Sequence, residues 1–76
     1  MAKKPGETMG KRLKRLREAA GLSQSQLAAA AGVPLGTLRN WEYDRREPLL
    51  GAAARLASAL GVTLDELAGR TPPKGK

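Results

Sequence analysis

Apolar residues along the 76-residue chain recur at helical intervals, in short blocks separated by glycine, proline and small polar residues. Met9, Leu13, Leu16 and Ala20 stand on one face of a first helix, with Thr8 placed as its N-cap and Gly21 as its stop. Ser23 with Gln26 has the spacing of a capping box, and it opens a second helix over 24–31 that turns Leu27, Ala28 and Ala31 inward. Gly32-Val33 closes that helix, glycine taking the left-handed position and valine the apolar contact that follows it. The same pair returns as Gly61-Val62, closing a fourth helix that buries Ala53, Leu56, Ala57 and Leu60. Thr63 and Glu66 repeat the capping box and start a short fifth helix through Leu64 and Leu67. No stretch alternates as a half-buried strand would.

A third helix, from Leu35 to about Tyr43, has a different character. Leu38 and Trp41 share a face and enter the core, while Leu35, Gly36, Arg39, Asn40 and Tyr43 point elsewhere. Asp44 stands where a left-handed residue should end the helix, which Asp tolerates better than most side chains. Arg45, Arg46 and Glu47 then form a charged loop before Pro48. The expected anchors of the core are Leu13, Leu16, Leu27, Leu38, Trp41, Leu56 and Leu60. The fold class is therefore all-α, a compact five-helix domain over 8–69. It lies between a flexible basic arm over 1–7 and a flexible Pro/Lys tail over 70–76.

Composition narrows the chemistry. The chain has no Cys and no His, which excludes a disulfide framework, the usual zinc sites and catalysis by thiolate or imidazole, so neither an enzyme nor a metal or cofactor is expected. The basic start has no apolar run behind it and no segment approaches the roughly 20 apolar residues of a membrane helix, so a cytoplasmic location is expected. Fourteen Lys and Arg against seven Asp and Glu give a net charge of +7, which makes polyanions the natural partners. The charge forms two clusters: Lys3, Lys4, Lys11, Arg12, Lys14, Arg15 and Arg17 ahead of Glu18, and then Arg39, Arg45 and Arg46.

Blander readings compete at several of these residues. The first helix also fits a basic amphipathic membrane-surface template, but so small a core needs Leu13 and Leu16, and no Trp or Phe is there to insert. Much of its basic face, Lys11, Arg12, Lys14 and Arg15, is expected to be solvated. Trp41 without interleaved aromatics makes a poor stacking platform for single strands, and its spacing from Leu38 favours the core. Asp65 and Glu66 at a helix start are explained by capping and the helix dipole. The Lys-rich arms are read as tails in preference to minor-groove readers.

Two short helices joined through Gly32-Val33-Pro34 in a basic all-helical domain fit a helix-turn-helix, whose second helix enters the DNA major groove. GLSQSQLAAAAGVPLGTLRNWE followed by RREP resembles the phage repressor and Cro (XRE-type) helix-turn-helix family, in which the pattern runs roughly GLSQ-x-x-LA-x-x-x-GVS-x-x-T-I/L-x-x-WE-x-G-x-R-x-P. LASALGVTLDELAG extends the resemblance through the last two helices, so that it covers about Met9 to Gly69.

The resemblance implies a lambda-repressor-like fold and a sequence-specific regulator of transcription, a repressor, that binds double-stranded DNA with its third helix in the major groove. Ser23, Gln24, Thr37, Tyr43, Arg45 and Arg46 would contact the DNA backbone. Leu35, Gly36, Arg39 and Asn40 would face the bases, and Arg17 with Glu42 would form an internal ion pair. Leu35 and Gly36 depart from the polar or basic residues often found there: leucine can only pack on a thymine methyl, and glycine only permits close approach. Direct readout then falls to Arg39 on guanine and Asn40 on adenine. Pro34 and Leu49 replace capping serines at a cost of about 1 kcal/mol each.

One domain covers a half-site, so a homodimer on DNA is expected, with Leu64 and Leu67 as candidates for its symmetric contact. A bacterial or phage source and nucleoid association follow from the same resemblance. Two alternatives stand beside it: an antitoxin that binds its operator and a toxin partner, and a low-specificity architectural or protein-interaction module that has lost sequence reading.

Overall fold

The computed structural model describes residues 6–70. The arm and tail expected from the sequence lie outside the described residues, apart from Gly6, Glu7 and Arg70, as do Lys3 and Lys4. Five helices follow in order: α1 (Met9–Ala19), α2 (Gln24–Ala31), α3 (Leu35–Glu42), α4 (Leu50–Leu60) and α5 (Leu64–Ala68). The described residues contain no strand.

The boundaries follow local chemistry. Thr8 accepts from the Lys11 amide at the start of α1. Ser23 and Gln26 cap α2 reciprocally, as do Thr63 and Glu66 at α5, so that two otherwise orphaned amides are satisfied at each. Pro34 and Leu49 give α3 and α4 no side-chain cap, as their residue types dictate. At the other ends one hydrogen-bond pattern recurs, an amide returning to the carbonyl five residues earlier: Leu22 to Arg17, Val33 to Ala28, Arg45 to Asn40, Val62 to Ala57 and Arg70 to Asp65.

Each turn requires a left-handed residue, and all are glycine except Asp44, with φ of 61°. Asp44 offsets that strain with its carboxylate, which accepts the Gly10 amide at 2.9 Å and the Thr8 hydroxyl at 2.6 Å. The residue that ends α3 thereby also caps α1.

Each helix sends one leucine to the centre: Leu13, Leu27, Leu38, Leu56 and Leu67 are almost wholly buried. Burying each stabilises the fold by about 1.5–3 kcal/mol relative to exposure. Trp41 and Leu60 close the periphery, and Ala28, Ala31 and Ala57 complete the buried cluster where α2 meets α4. Leu16 and Ala53 pack at the edge of this core, only partly buried, and Ala20 is exposed beyond the end of α1. Gly10 is where α1 crosses the end of α3, since a Cβ there would stand 2.5 Å from the Glu42 carbonyl oxygen.

Two expectations are corrected here. Arg12, expected among solvated charges, is buried beneath Gly69, where a Cβ would lie 2.5 Å from the guanidinium. It approaches Glu7 at 3.6 Å, and its Nε makes no hydrogen bond. Leu67, expected at a surface contact, is a central core residue because α5 is too short to spare its one inward-facing leucine.

Candidate nucleic-acid interface

Helix α3 has one face in the core and one outside. Leu38, Trp41 and Glu42 are buried, while Gly36, Arg39 and Tyr43, three to four residues apart, follow one exposed stripe with half-buried Asn40 beside it. Leu35 and Thr37 flank that stripe, both half-buried, Leu35 packing against the core. Nothing lies within 4 Å of a Cβ built on Gly36, so the amino end of the stripe is open. The tightly turned end of α3 then folds back: the Arg45 and Arg46 amides both donate to the Asn40 carbonyl, at 2.9 and 3.4 Å. The Arg45 guanidinium stands over the Tyr43 ring, 5.5 Å from its centroid, within reach of a cation–π contact.

Behind the stripe lies a buried ion pair. Arg17 of α1 donates to Glu42 through Nε at 2.6 Å and Nη2 at 3.2 Å, and through Nη1 to the Leu22 carbonyl at 2.9 Å. These bonds hold the Arg17 guanidinium protonated still more firmly than usual, the Glu42 hydrogen bonds being the chief cause. A buried pair contributes little net stability, but it fixes one helix relative to another and is costly to break on one side. The sequence expectation of an internal pair between these residues matches this geometry.

The amino end of α2 meets the same carboxylate. Ser23 spends its side chain on the capping box. Gln24 donates from Nε2 to Glu42 Oε1 at 3.0 Å and accepts at Oε1 from Arg39 Nε at 3.4 Å. Gln24, read from the sequence as a backbone contact, thus reaches the exposed stripe through its neighbours. Sequence reasoning missed this bridge, although a glutamine between an acid and a base on adjacent helices was the available signal.

A second surface lies between the start of α4 and α5. An apolar groove of about 340 Å³ is lined by Met9, Pro48, Leu50, Ala53, Leu64 and Ala68, with Glu47 and Arg70 at its rim. Leu49 and Leu50 are 83 % and 72 % exposed and Leu64 39 %, which for a domain of this size makes an uncovered apolar patch.

The helix-turn-helix (HTH_3) family model matches residues 13–67. Among curated proteins, the chain is 33% identical over 63 residues to the HTH-type transcriptional regulator ImmR of Bacillus subtilis, which covers 83% of this chain and 50% of that protein. It is 36% identical over 62 residues to the immunity repressor protein of Bacillus phage phi105, covering 82% of this chain and 43% of that one. The chain thus spans about half the length of the curated relatives it matches. Among solved structures, the restriction-modification controller protein C.AhdI of Aeromonas hydrophila superposes with a TM-score of 0.75 at 37% identity, over 78% of this chain and 89% of that one. More than two-thirds of the sequence falls within the matched span, and the five-helix arrangement agrees with it: the chain belongs to the helix-turn-helix family.

Proposed function

We propose that this domain binds duplex DNA with α3 in the major groove and acts as a transcriptional repressor by occupying its site. The observation that carries the reading is the exposed stripe of Gly36, Arg39 and Tyr43, with Asn40 at its edge, on a helix whose other face is locked to α1 by the Arg17–Glu42 pair. Arg39 has the donors to grip guanine, Asn40 the paired acceptor and donor to read adenine, and Leu35 offers at most an apolar edge to a thymine methyl. Gly36 allows the backbone to come close. Tyr43 at the end of the stripe, with Ser23, Thr37, Arg45 and Arg46 around it, stands at the backbone-contacting positions, where phosphate contacts set register.

A homodimer forms on DNA, placing two copies of α3 about 34 Å, one helical turn, apart on a palindrome. The groove between α4 and α5 supports this contact. Its exposed Leu50 and Leu64, with Leu49 exposed next to Leu50 in the chain, supply apolar area, and Glu47 and Arg70 of its lining would pair with Arg70 and Glu47 of a two-fold-related copy.

The test is selection of bound duplexes from a randomised pool at near-physiological salt, followed by titration of the winner against a scrambled duplex. The expected outcome is a palindromic sequence preferred about a thousandfold or more. Equal binding to every duplex with a steep salt dependence would replace the reading with a phosphate-gripping architectural module.

A further inference from the structure

Gln24 occupies a position that only a carboxamide fills well. Glu42 on one side can only accept hydrogen bonds, and Arg39 on the other can only donate. The amide of Gln24 offers its nitrogen to the first, at 3.0 Å, and its oxygen to the second, at 3.4 Å. That pairing fixes the amide's orientation without ambiguity, because the reverse would set oxygen against oxygen and nitrogen against nitrogen. A glutamate at 24 would repel Glu42, and a lysine would repel Arg39.

Glu42 is itself held by two nitrogens of Arg17, whose third nitrogen bonds the Leu22 carbonyl at the α1–α2 turn. A continuous line of hydrogen bonds therefore runs from the scaffold to the one long cationic side chain on the exposed face of α3. It reaches Arg39 at Nε, which leaves the outer edge of the guanidinium, with both Nη groups, for a partner. That outer edge is the fork that addresses guanine O6 and N7.

We infer that Gln24 is a positioning residue for Arg39, holding its guanidinium in the orientation that reads a base, and not a phosphate ligand in its own right. The inference rests on the reading of α3 as the DNA-facing helix. Its physical content is preorganisation: an arginine held at one nitrogen loses less rotamer freedom on binding, and its fork is aimed before the DNA arrives.

The test uses the full chain, the selected duplex and its scrambled control, with Gln24→Ala, Arg39→Ala and the double variant titrated at several salt concentrations. Gln24→Ala is expected to weaken the selected duplex about three- to tenfold, the size of one ordinary solvent-exposed hydrogen bond, with the scrambled duplex and the salt slope unchanged. In the Arg39→Ala background the same substitution is expected to change binding no further, since its effect on recognition runs through Arg39. Equal losses on both duplexes with a shallower salt slope would make Gln24 a phosphate contact and overturn the inference, as would a full additive loss in the double variant. Failure of the underlying reading looks different: Arg39→Ala would then leave the preference for the selected duplex intact. Thermal unfolding of Gln24→Ala, expected to match the parent within a few degrees, separates loss of positioning from loss of fold.

Discussion

At the α2–α3 edge the polar side chains are committed to one another: Arg17 to Glu42, Glu42 to Gln24, Gln24 to Arg39, and Arg45 to the Tyr43 ring. The α4–α5 groove is mostly apolar, with Leu50 and Leu64 lying open, Leu49 exposed next to Leu50 in the chain, and Glu47 and an Arg70 already paired with Asp65 as the charged residues of its lining. The first region is arranged in advance, as suits a surface that must present donors in fixed directions to a rigid polyanion. The second gains nothing from direction, because apolar contact is non-directional and needs only area. On the proposed reading, a single small domain separates recognition from assembly by chemistry as well as by position.

The sharpest way to break the first region is Glu42→Ala. It leaves Arg17 buried without its counter-charge, and removal of one partner of such a pair costs about 3–5 kcal/mol. Since small domains have only about 5–15 kcal/mol in hand, a large fall in the thermal midpoint is expected, read by circular dichroism. An unchanged midpoint would mean that the pair organises nothing.

Leu50→Lys tests the second region and should leave folding almost untouched, within about 0.5 kcal/mol, because the side chain is already in solvent. Its effect belongs to assembly: occupancy of a palindromic duplex should fall roughly tenfold while a single half-site is bound as before. Equal losses on palindrome and half-site would remove the groove from the dimer.

The smallest effect lies at the corner between the regions. Hydrogen bonds from the Thr8 hydroxyl and then the Gly10 amide hold the Asp44 carboxyl below its ordinary range. A depressed folded-state value contributes stability that is present above the unfolded value and lost as pH falls through the folded one. Asp44→Asn should therefore melt lower than the parent near neutrality. The difference should close on acidification below about pH 4, followed by thermal melts across pH.

Most of the fold was legible because its signals are local. Ser23 with Gln26, Thr63 with Glu66, Gly32-Val33, Gly61-Val62 and the left-handed Asp44 each mark a boundary within a few residues, and the structure places the ends of the helices there. What escaped depends on distant parts of the chain. Arg12 looked solvated because nothing near it announces that Gly69, lacking a side chain, will lie over its guanidinium. Leu64 and Leu67 looked equivalent because α5 is too short for periodicity to rank its faces, and only packing chose Leu67 for the core. The apolar patch at Leu49 and Leu50 was likewise invisible, since an exposed leucine and a buried one read alike. At the candidate interface the Arg17–Glu42 pair was legible from the family pattern, but the bridge from Gln24 to Arg39 needed three side chains in space.

The open position at Gly36 bears on how such a domain changes its target over time. A glycine inside a helix costs roughly 0.5–1 kcal/mol relative to alanine, so filling it tends to strengthen the fold at the moment it adds a side chain to the face proposed to meet DNA. New binding tastes usually arise at the expense of stability, yet here both would move together. Gly10 is the contrasting case, because any larger residue there pushes against the backbone of α3 itself. On the proposed reading the two glycines therefore differ in kind: a side chain at Gly10 would meet backbone, whereas one at Gly36 could alter target preference without a compensating change elsewhere.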